Sequence, residues 1–323
     1  MTVRLEGLVI KHQSGFFTVE TERGAYVCQL RGRLKEEAAR KMRKEEEEGR
    51  TELCTIGDRV TIEALPDGTG VIDQVHPRRQ VLSRADPQRR SAAQEREQVL
   101  IANPDQALFV FAASQPDPNP RALDRLLVLA EKGGIPHIRV VCNKIDLVPR
   151  QEAEAVFGLY EQIGYPVLYT SAETGEGVDA LRAVLAGKIS VFTGPSGVGK
   201  TSLLNAIQPE LGRRVREVSE ATGKGRHTTV YRELIPLAGG GYVADTPGIR
   251  TITIWDVEPW ELDAYFVDIA PFVADCQFAD CTHTHEPGCA VRAAVERGEV
   301  HPQRYESFLR LREEIEETYE DWV

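Results

Sequence analysis

Two short stretches carry groups suited to one task. GPSGVGKT, Gly194 to Thr201, fits G-x-x-x-x-G-K-[ST] at every fixed position. Gly194, Gly197 and Gly199 let backbone N–H groups close around phosphate oxygens, and the following helix start adds positive potential. Lys200 would reach the β- and γ-phosphates and stabilise charge during transfer, while the Thr201 hydroxyl would ligate Mg²⁺. Pro195, Ser196, Val198 and Ser202 complete the phosphate loop. A fortuitous glycine-rich turn is the bland alternative. It is outweighed because the motif follows an apolar run, Ile189 to Thr193, and opens a helical stretch, Ser202 to Ile207. DTPG, Asp245 to Gly248, follows another apolar strand, GGGYVAD. There Asp245 can hold Mg²⁺ through a water, and the Gly248 N–H can meet a γ-phosphate.

A phosphate loop specifies a nucleoside triphosphate, not its base. NKID, Asn143 to Asp146, supplies the choice. The Asp146 carboxylate can accept both hydrogen bonds from the N1–H and N2–H₂ edge of guanine, whereas adenine has no such donor pair. Asn143 would brace the loop and the Lys144 stem would cover the base. TSAETGEG, Thr170 to Gly177, fits the companion loop, with the backbone of Ser171 and Ala172 near O6. The expected ligands are therefore GTP and GDP with Mg²⁺. The chain order is base motif, base loop, phosphate loop, switch, DTPG, whereas ordinary GTPases begin with the phosphate loop. A parallel sheet keeps its strand positions when old termini are joined and new ones opened at a surface loop. The expectation is a circularly permuted P-loop GTPase domain.

Between the two phosphate motifs lies TGKGRHTTVYREL, Thr222 to Leu234, whose glycines suit a segment that orders on GTP. Thr228 or Thr229 would complete the Mg²⁺ shell, with Thr229 favoured, so the magnesium set is Thr201, Thr229 and Asp245. Many GTPases carry a glutamine after the DxxG glycine to orient the attacking water. Here that residue is Ile249, which cannot. His227 can hydrogen-bond a water and is the candidate catalytic residue; an incidental loop histidine or an RNA contact is the competing reading. Slow intrinsic hydrolysis and activation by a partner are expected.

Near the C-terminus, Cys276-x₄-Cys281-x-His283-x₅-Cys289 supplies three thiols and an imidazole. Four N/S ligands with no open position suit one structural, tetrahedral Zn²⁺. His285 is the alternative imidazole. The remaining cysteines, Cys28, Cys54 and Cys142, are scattered in strand-like settings and read as small buried residues. Reduced thiols and a cytoplasmic address follow.

The elements that must position these groups are legible in outline. Residues 1–76 alternate apolar and polar over about five short strands, which suggests an OB-fold β-barrel. Its charged insert, Lys35 to Arg50, reads as solvated. Residues 77–104 read as a polar, Arg-rich connector. Then apolar runs alternate with helical patterns, as in a parallel α/β sheet, and each nucleotide motif falls at a strand end. From Trp255 onward acidic helices surround the Cys/His set. The expected architecture is multidomain α/β: barrel 1–76, GTPase domain 77–260, zinc-binding helical domain 261–323. No run approaches the roughly 18 apolar residues of a membrane helix, and MTVRLEGLVI lacks the features of a secretory leader. Net charge is −11, which argues against a general nucleic-acid binder. Residues 255–323 hold 5 Lys+Arg against 17 Asp+Glu, whereas 77–100 hold 6 against 3, so any RNA surface is local.

A barrel-like N-terminus, NKID before TSAETGEG before GPSGVGKT, then GKGRHTT, DTPGI and the Cys/His spacing together resemble the ribosome small-subunit-dependent GTPase family, RsgA, along nearly the whole chain. The resemblance implies GTP hydrolysis stimulated by the 30S subunit in its late maturation, with 16S rRNA as partner. It places catalysis on His227 and zinc on Cys276, Cys281, His283 and Cys289. A monomer is expected. The insert at 35–50 is long and glutamate-rich, and the C-terminal domain is acidic for something that docks on rRNA, which leaves open whether that domain touches RNA or protein.

Overall fold

The computed structural model describes residues 3–34, 53–85, 97–214, 231–244 and 257–320. The N-terminal part is a closed barrel of five strands, β1 (Val3–Gln13), β2 (Phe16–Thr21), β3 (Gly24–Leu30), β4 (Arg59–Ala64) and β5 (Thr69–Val75), joined in the order β1-β2-β3-β5-β4 with β4 returning to β1. This is an OB-like arrangement. Side chains from alternate positions, among them Leu5, Val9, Val19, Cys28 and Ile62, fill its interior. Closure brings β1 onto β2 so tightly at Gly7 that a Cβ there would lie 2.4 Å from Val19 Cγ1. The closing strand occupies only the first half of β1, with Val3 facing Ala64 and Leu8 facing Arg59. The second half, Lys11 to Gln13, pairs with a strand from far along the chain, Tyr231–Glu233.

The stretch expected to be a connector contains a hairpin instead. Strands β6 (Val81–Ala85) and β7 (Glu97–Ala102) pair antiparallel. Arginine-rich composition disguises an apolar face: Leu82, Leu100 and Ile101 are buried in the same core as the first helix of the next domain. Arg78 is bound to both Asp58 oxygens at 2.8 and 2.9 Å.

The central sheet has the order β10-β9-β8-β11-β14-β13. Its strands are β8 (Gln106–Ala112), β9 (Ile138–Asn143), β10 (Val167–Tyr169), β11 (Ile189–Thr193), β13 (Ile235–Pro236) and β14 (Tyr242–Ala244), with Tyr231–Glu233 as β12 in the barrel sheet. All neighbours run parallel except β13. Every residue of β8 and β11 is buried, as a strand covered on both faces requires. Helices α1 (Pro120–Lys132) and α2 (Arg150–Gln162) cover one face through Leu123, Leu127, Phe157 and Tyr160. Helices α3 (Val178–Leu185) and α4 (Lys200–Ile207) cover the other through Leu181, Leu185, Leu203 and Leu204.

Three further helices, α5 (Ala270–Val273), α6 (Ala290–Glu296) and α7 (Pro302–Glu320), form the C-terminal part. Phe266, Ile269, Val291 and Phe308 make its core, which reaches Val128 on the outer side of α1. The joint is ionic as well as apolar. Arg304, only 1% exposed, donates to Asp124 on α1 at 2.6 Å and to Asp268 at 2.7 Å, and its guanidinium lies 4.5 Å from the Phe266 ring centroid. Tyr160 donates to Asp124 at 2.9 Å. Burial, and then the Asp124 charge, hold the Tyr160 phenol well above its ordinary pKa. For Arg304, burial opposes the charge, but Asp124 and Asp268 outweigh it and the net shift is upward.

Candidate functional site

Four motif-bearing strands end on one edge of the sheet. β11 delivers the phosphate loop, and α4 begins at Lys200 immediately behind it. A Cβ on Gly194 would sit 2.0 Å from the Val110 carbonyl oxygen, so β8 passes too close for any other residue. Lys200 Nζ lies 2.7 Å from both the Gly194 and Pro195 carbonyls, holding the ammonium against the start of the loop. Thr201 and Ser202 occupy the first turn of α4. Gly197 and Gly199 have φ of +83° and +92°, a region glycine enters without strain.

The base motif stands directly beside this loop. β9 ends at Asn143, Lys144 takes a left-handed conformation, and Ile145–Leu147 form one 3₁₀ turn. Asn143 is 1% exposed. Its Nδ2 donates to the Val198 carbonyl at 2.8 Å, while its Oδ1 accepts from the Ala172 N–H and the Thr170 hydroxyl, each at 3.3 Å. One buried amide thus ties the phosphate loop to the base loop. A Cβ on Gly199 would come within 2.4 Å of that Nδ2. Lys144 Nζ donates to the Gln115 carbonyl. Ser171 donates to Asp146, and its Oγ accepts the Thr174 N–H at 3.1 Å. Sequence reasoning used only the Ser171 backbone; the side chain aims the carboxylate. Thr170 was quoted as the start of the loop but given no role, and Gln115 was missed. The polar residue buried at a strand end, Thr170, carries the usable signal, whereas Gln115 acts through its carbonyl and carries none.

Electrostatics separate working groups from packing groups. Burial pushes the Cys142 thiol up to about 12 against an opposing effect of Arg150, and pushes Cys28 up to about 11. Both are inert at neutral pH, in keeping with their reading as buried fillers. The residues expected to form the switch, His227, Thr228 and Thr229, and Asp245 and Gly248 of DTPG, lie outside the described residues. The strand leading into DTPG is described, and its last residue, Ala244, pairs with Val191 of the phosphate-loop strand.

The second site is the Cys/His set. The ligand atoms of Cys276, Cys281, His283 and Cys289 lie within 4.8 Å of one another. Cys276 and Cys289 sulfurs are 4.0 Å apart, with His283 Nδ1 at 3.6 and 3.4 Å from them. A tetrahedral ion with metal–sulfur bonds of about 2.3 Å spaces its ligands about 3.8 Å apart, close to the separations found here, so the set could hold a metal. His283 Nε2 lies 3.2 Å from the Asp263 carboxylate; donation there leaves the Nδ1 lone pair facing the sulfurs, where it could ligate a metal. The Arg292 N–H points at the Cys289 sulfur from the start of α6. His285 is exposed and bonds Thr284 instead.

Comparison with known proteins agrees with this geometry at each level. The RsgA N-terminal domain model matches residues 6–72, and the RsgA GTPase model matches residues 75–255. The fold is similar to the crystal structure of YjeQ from Thermotoga maritima, at 36% identity and TM-score 0.74, covering 97% of this chain and 99% of that one. It is also similar to YloQ, described as a circularly permuted GTPase, at 31% identity and TM-score 0.70, covering 98% and 96%. A relative from Gemmatimonas aurantiaca, named small ribosomal subunit biogenesis GTPase RsgA, is 46% identical over 98% of this chain and 99% of its own length. One of the same name from Moorella thermoacetica is 42% identical over 96% and 97%. With both domain models matched and a relative of that name 46% identical over 98% of the chain, the chain belongs to the RsgA GTPase family.

Proposed function

We propose that this GTPase works in late maturation of the small (30S) ribosomal subunit, where 16S rRNA and the subunit trigger hydrolysis. The observation that carries the reading is near-full-length identity of 46% to a relative named for small-subunit biogenesis. In the proposed reaction a water attacks the γ-phosphorus, the bond to the β–γ bridging oxygen breaks, and GDP and phosphate leave. Lys200 and the backbone N–H groups of residues 194–202 hold the phosphates; Asn143, Lys144 and Asp146, with Ser171 and Ala172, hold guanine. His227 orients the water, in place of the glutamine that Ile249 replaces. Mg²⁺ on Thr201, Thr229 and Asp245 would neutralise developing phosphate charge when bound. The chain acts in the cytoplasm as a monomer, in three parts, 1–76, 77–260 and 261–323. RNA meets the barrel near Arg4 and Arg33, both 63% exposed and both held by Asp73.

GTP hydrolysis measured alone, with isolated small subunits and with large subunits tests this. Strong stimulation by small subunits only is expected, and His227→Ala should lose the stimulated rate while keeping GTP affinity. Equal, slow turnover in all three mixtures would refute the small-subunit reading. The Cys₃His set is proposed to hold one structural zinc. Metal analysis should find one zinc per chain, lost with Cys289→Ser; an iron-loaded or metal-free protein from zinc-replete cells would overturn that.

A further inference from the structure

His283 is the buried imidazole of the Cys/His set, and it is held by more than its own loop. Within the loop, Glu286 gathers the backbone on both sides of it, accepting the Thr282 N–H at 2.8 Å and the Thr284 N–H at 3.1 Å. His283 itself has φ of +62°, a left-handed conformation that costs a residue with a Cβ more than it costs glycine. From α7, the Tyr305 hydroxyl donates to the His283 carbonyl. These contacts place the backbone of His283. They leave the rotation of its ring to other groups.

Nδ1 lies 3.6 and 3.4 Å from the Cys276 and Cys289 sulfurs, and Nε2 lies 3.2 Å from Asp263 Oδ2. A half-turn about the Cβ–Cγ bond would put a ring carbon in place of each nitrogen. The orientation that satisfies Asp263 is thus the one that offers a nitrogen to the sulfurs. The Phe308 ring, 5.9 Å away and tilted by 54°, is an apolar neighbour and cannot tell nitrogen from carbon. Asp263 is no fifth ligand, because its oxygen meets the ring nitrogen that does not face the sulfurs. Its place in the fold is fixed from outside the Cys/His loop. It sits on the short 3₁₀ turn Leu262–Tyr265, 20 residues before His283. Leu262, next to it, is fully buried in the core that reaches Val128 on α1. The Asp263 side chain is only 15% exposed, so little water competes for a charge-assisted bond to the ring.

We propose that Asp263 is the positioning residue of this metal centre: it holds the ring proton on Nε2, leaves Nδ1 to ligate, and makes His283 a stronger ligand. The inference rests on the structural zinc proposed above. Competition of full-length protein with a chromogenic chelator measures zinc affinity. Asp263→Ala should lower it about 10–100-fold, and Asp263→Asn, which keeps an oxygen acceptor but loses the charge, should lie between. Long-range ¹H–¹⁵N correlation spectra of the zinc-loaded parent should show the His283 proton on Nε2 and the metal on Nδ1. Tyr305→Phe separates positioning from packing, since it loosens the same residue through its backbone and leaves the ring contact alone. The Nε2 proton should exchange slowly with solvent in the parent and in Tyr305→Phe, and fast in Asp263→Ala. Zinc on Nε2, equal zinc affinity in parent and Asp263→Ala, or fast exchange in both variants overturns the assignment. A parent that takes up no zinc sinks the structural-zinc reading and this one together; a parent that takes it up as tightly as Asp263→Ala does sinks this one alone.

Discussion

Asp146→Asn is expected to lower GTP affinity about 10³-fold, the loss of two charge-assisted hydrogen bonds of roughly 2 kcal/mol each. Ser171 holds the Asp146 carboxylate, and Ser171 is itself held by the Thr174 N–H, so the variant amide would occupy the same place. It would present one acceptor and one donor where guanine offers two donors. Xanthine offers N1–H and a carbonyl, which match that pair. Preference should therefore pass to xanthosine triphosphate, with hydrolysis restored at concentrations that saturate the variant. Competition between labelled GTP and xanthosine triphosphate measures both effects. A variant that loses GTP without gaining xanthosine nucleotide would mean that Asp146 does not read the base.

Arg304→Ala is expected to cost about 3–5 kcal/mol, the penalty of leaving buried carboxylates uncompensated. Asp124 and Asp268 side chains are 1% and 4% exposed, and each has Arg304 as its cationic partner. Removing the guanidinium also strips a cation from the Phe266 face and opens a void. The apparent Tm should fall by roughly 10 °C for a chain of this size. Arg121→Ala, which breaks only the exposed pair with Glu306, should cost no more than about 1 kcal/mol and serves as the control. Equal melting of parent and Arg304→Ala would show that the ionic joint contributes nothing.

The two charge networks also mark where the sequence was opaque. Asn143, Asp146, the Gly194–Thr201 loop and the Cys/His set were legible because each needs fixed residue types at fixed spacing beside a strand or turn. The barrel was legible from alternation. Arg304 was not, because an arginine in an acidic amphipathic helix looks like any solvated charge. Its burial depends on Asp124, far away in sequence, facing it across a helix packing that no local pattern encodes. The hairpin of β6 and β7 hid for a related reason. Its two strands are short, separated and flanked by arginines, so composition masked the buried Leu82, Val99 and Ile101. Arg78, one of those arginines, is paired with Asp58, which composition does not show.

The strand Tyr231–Glu233 was equally silent in sequence, and its pairing changes what the barrel is. Leu234 N–H donates to the Ile10 carbonyl at 2.8 Å, Glu233 pairs with Lys11, and Arg232 donates to Thr55 and to the Val99 carbonyl. The barrel's edge is thus sealed by a piece made long after its own strands. During synthesis residues 1–76 leave the ribosome with the far half of β1 paired to β2 on one edge and bare on the other, and that edge stays open until the phosphate loop has also been made. A nascent barrel with an open edge is a target for wrong partners. Nor can the molecule be cut at a linker into a barrel and an enzyme: removing the first 76 residues strips the ladder from the strand that follows the switch. A truncation would yield two torn edges rather than two domains.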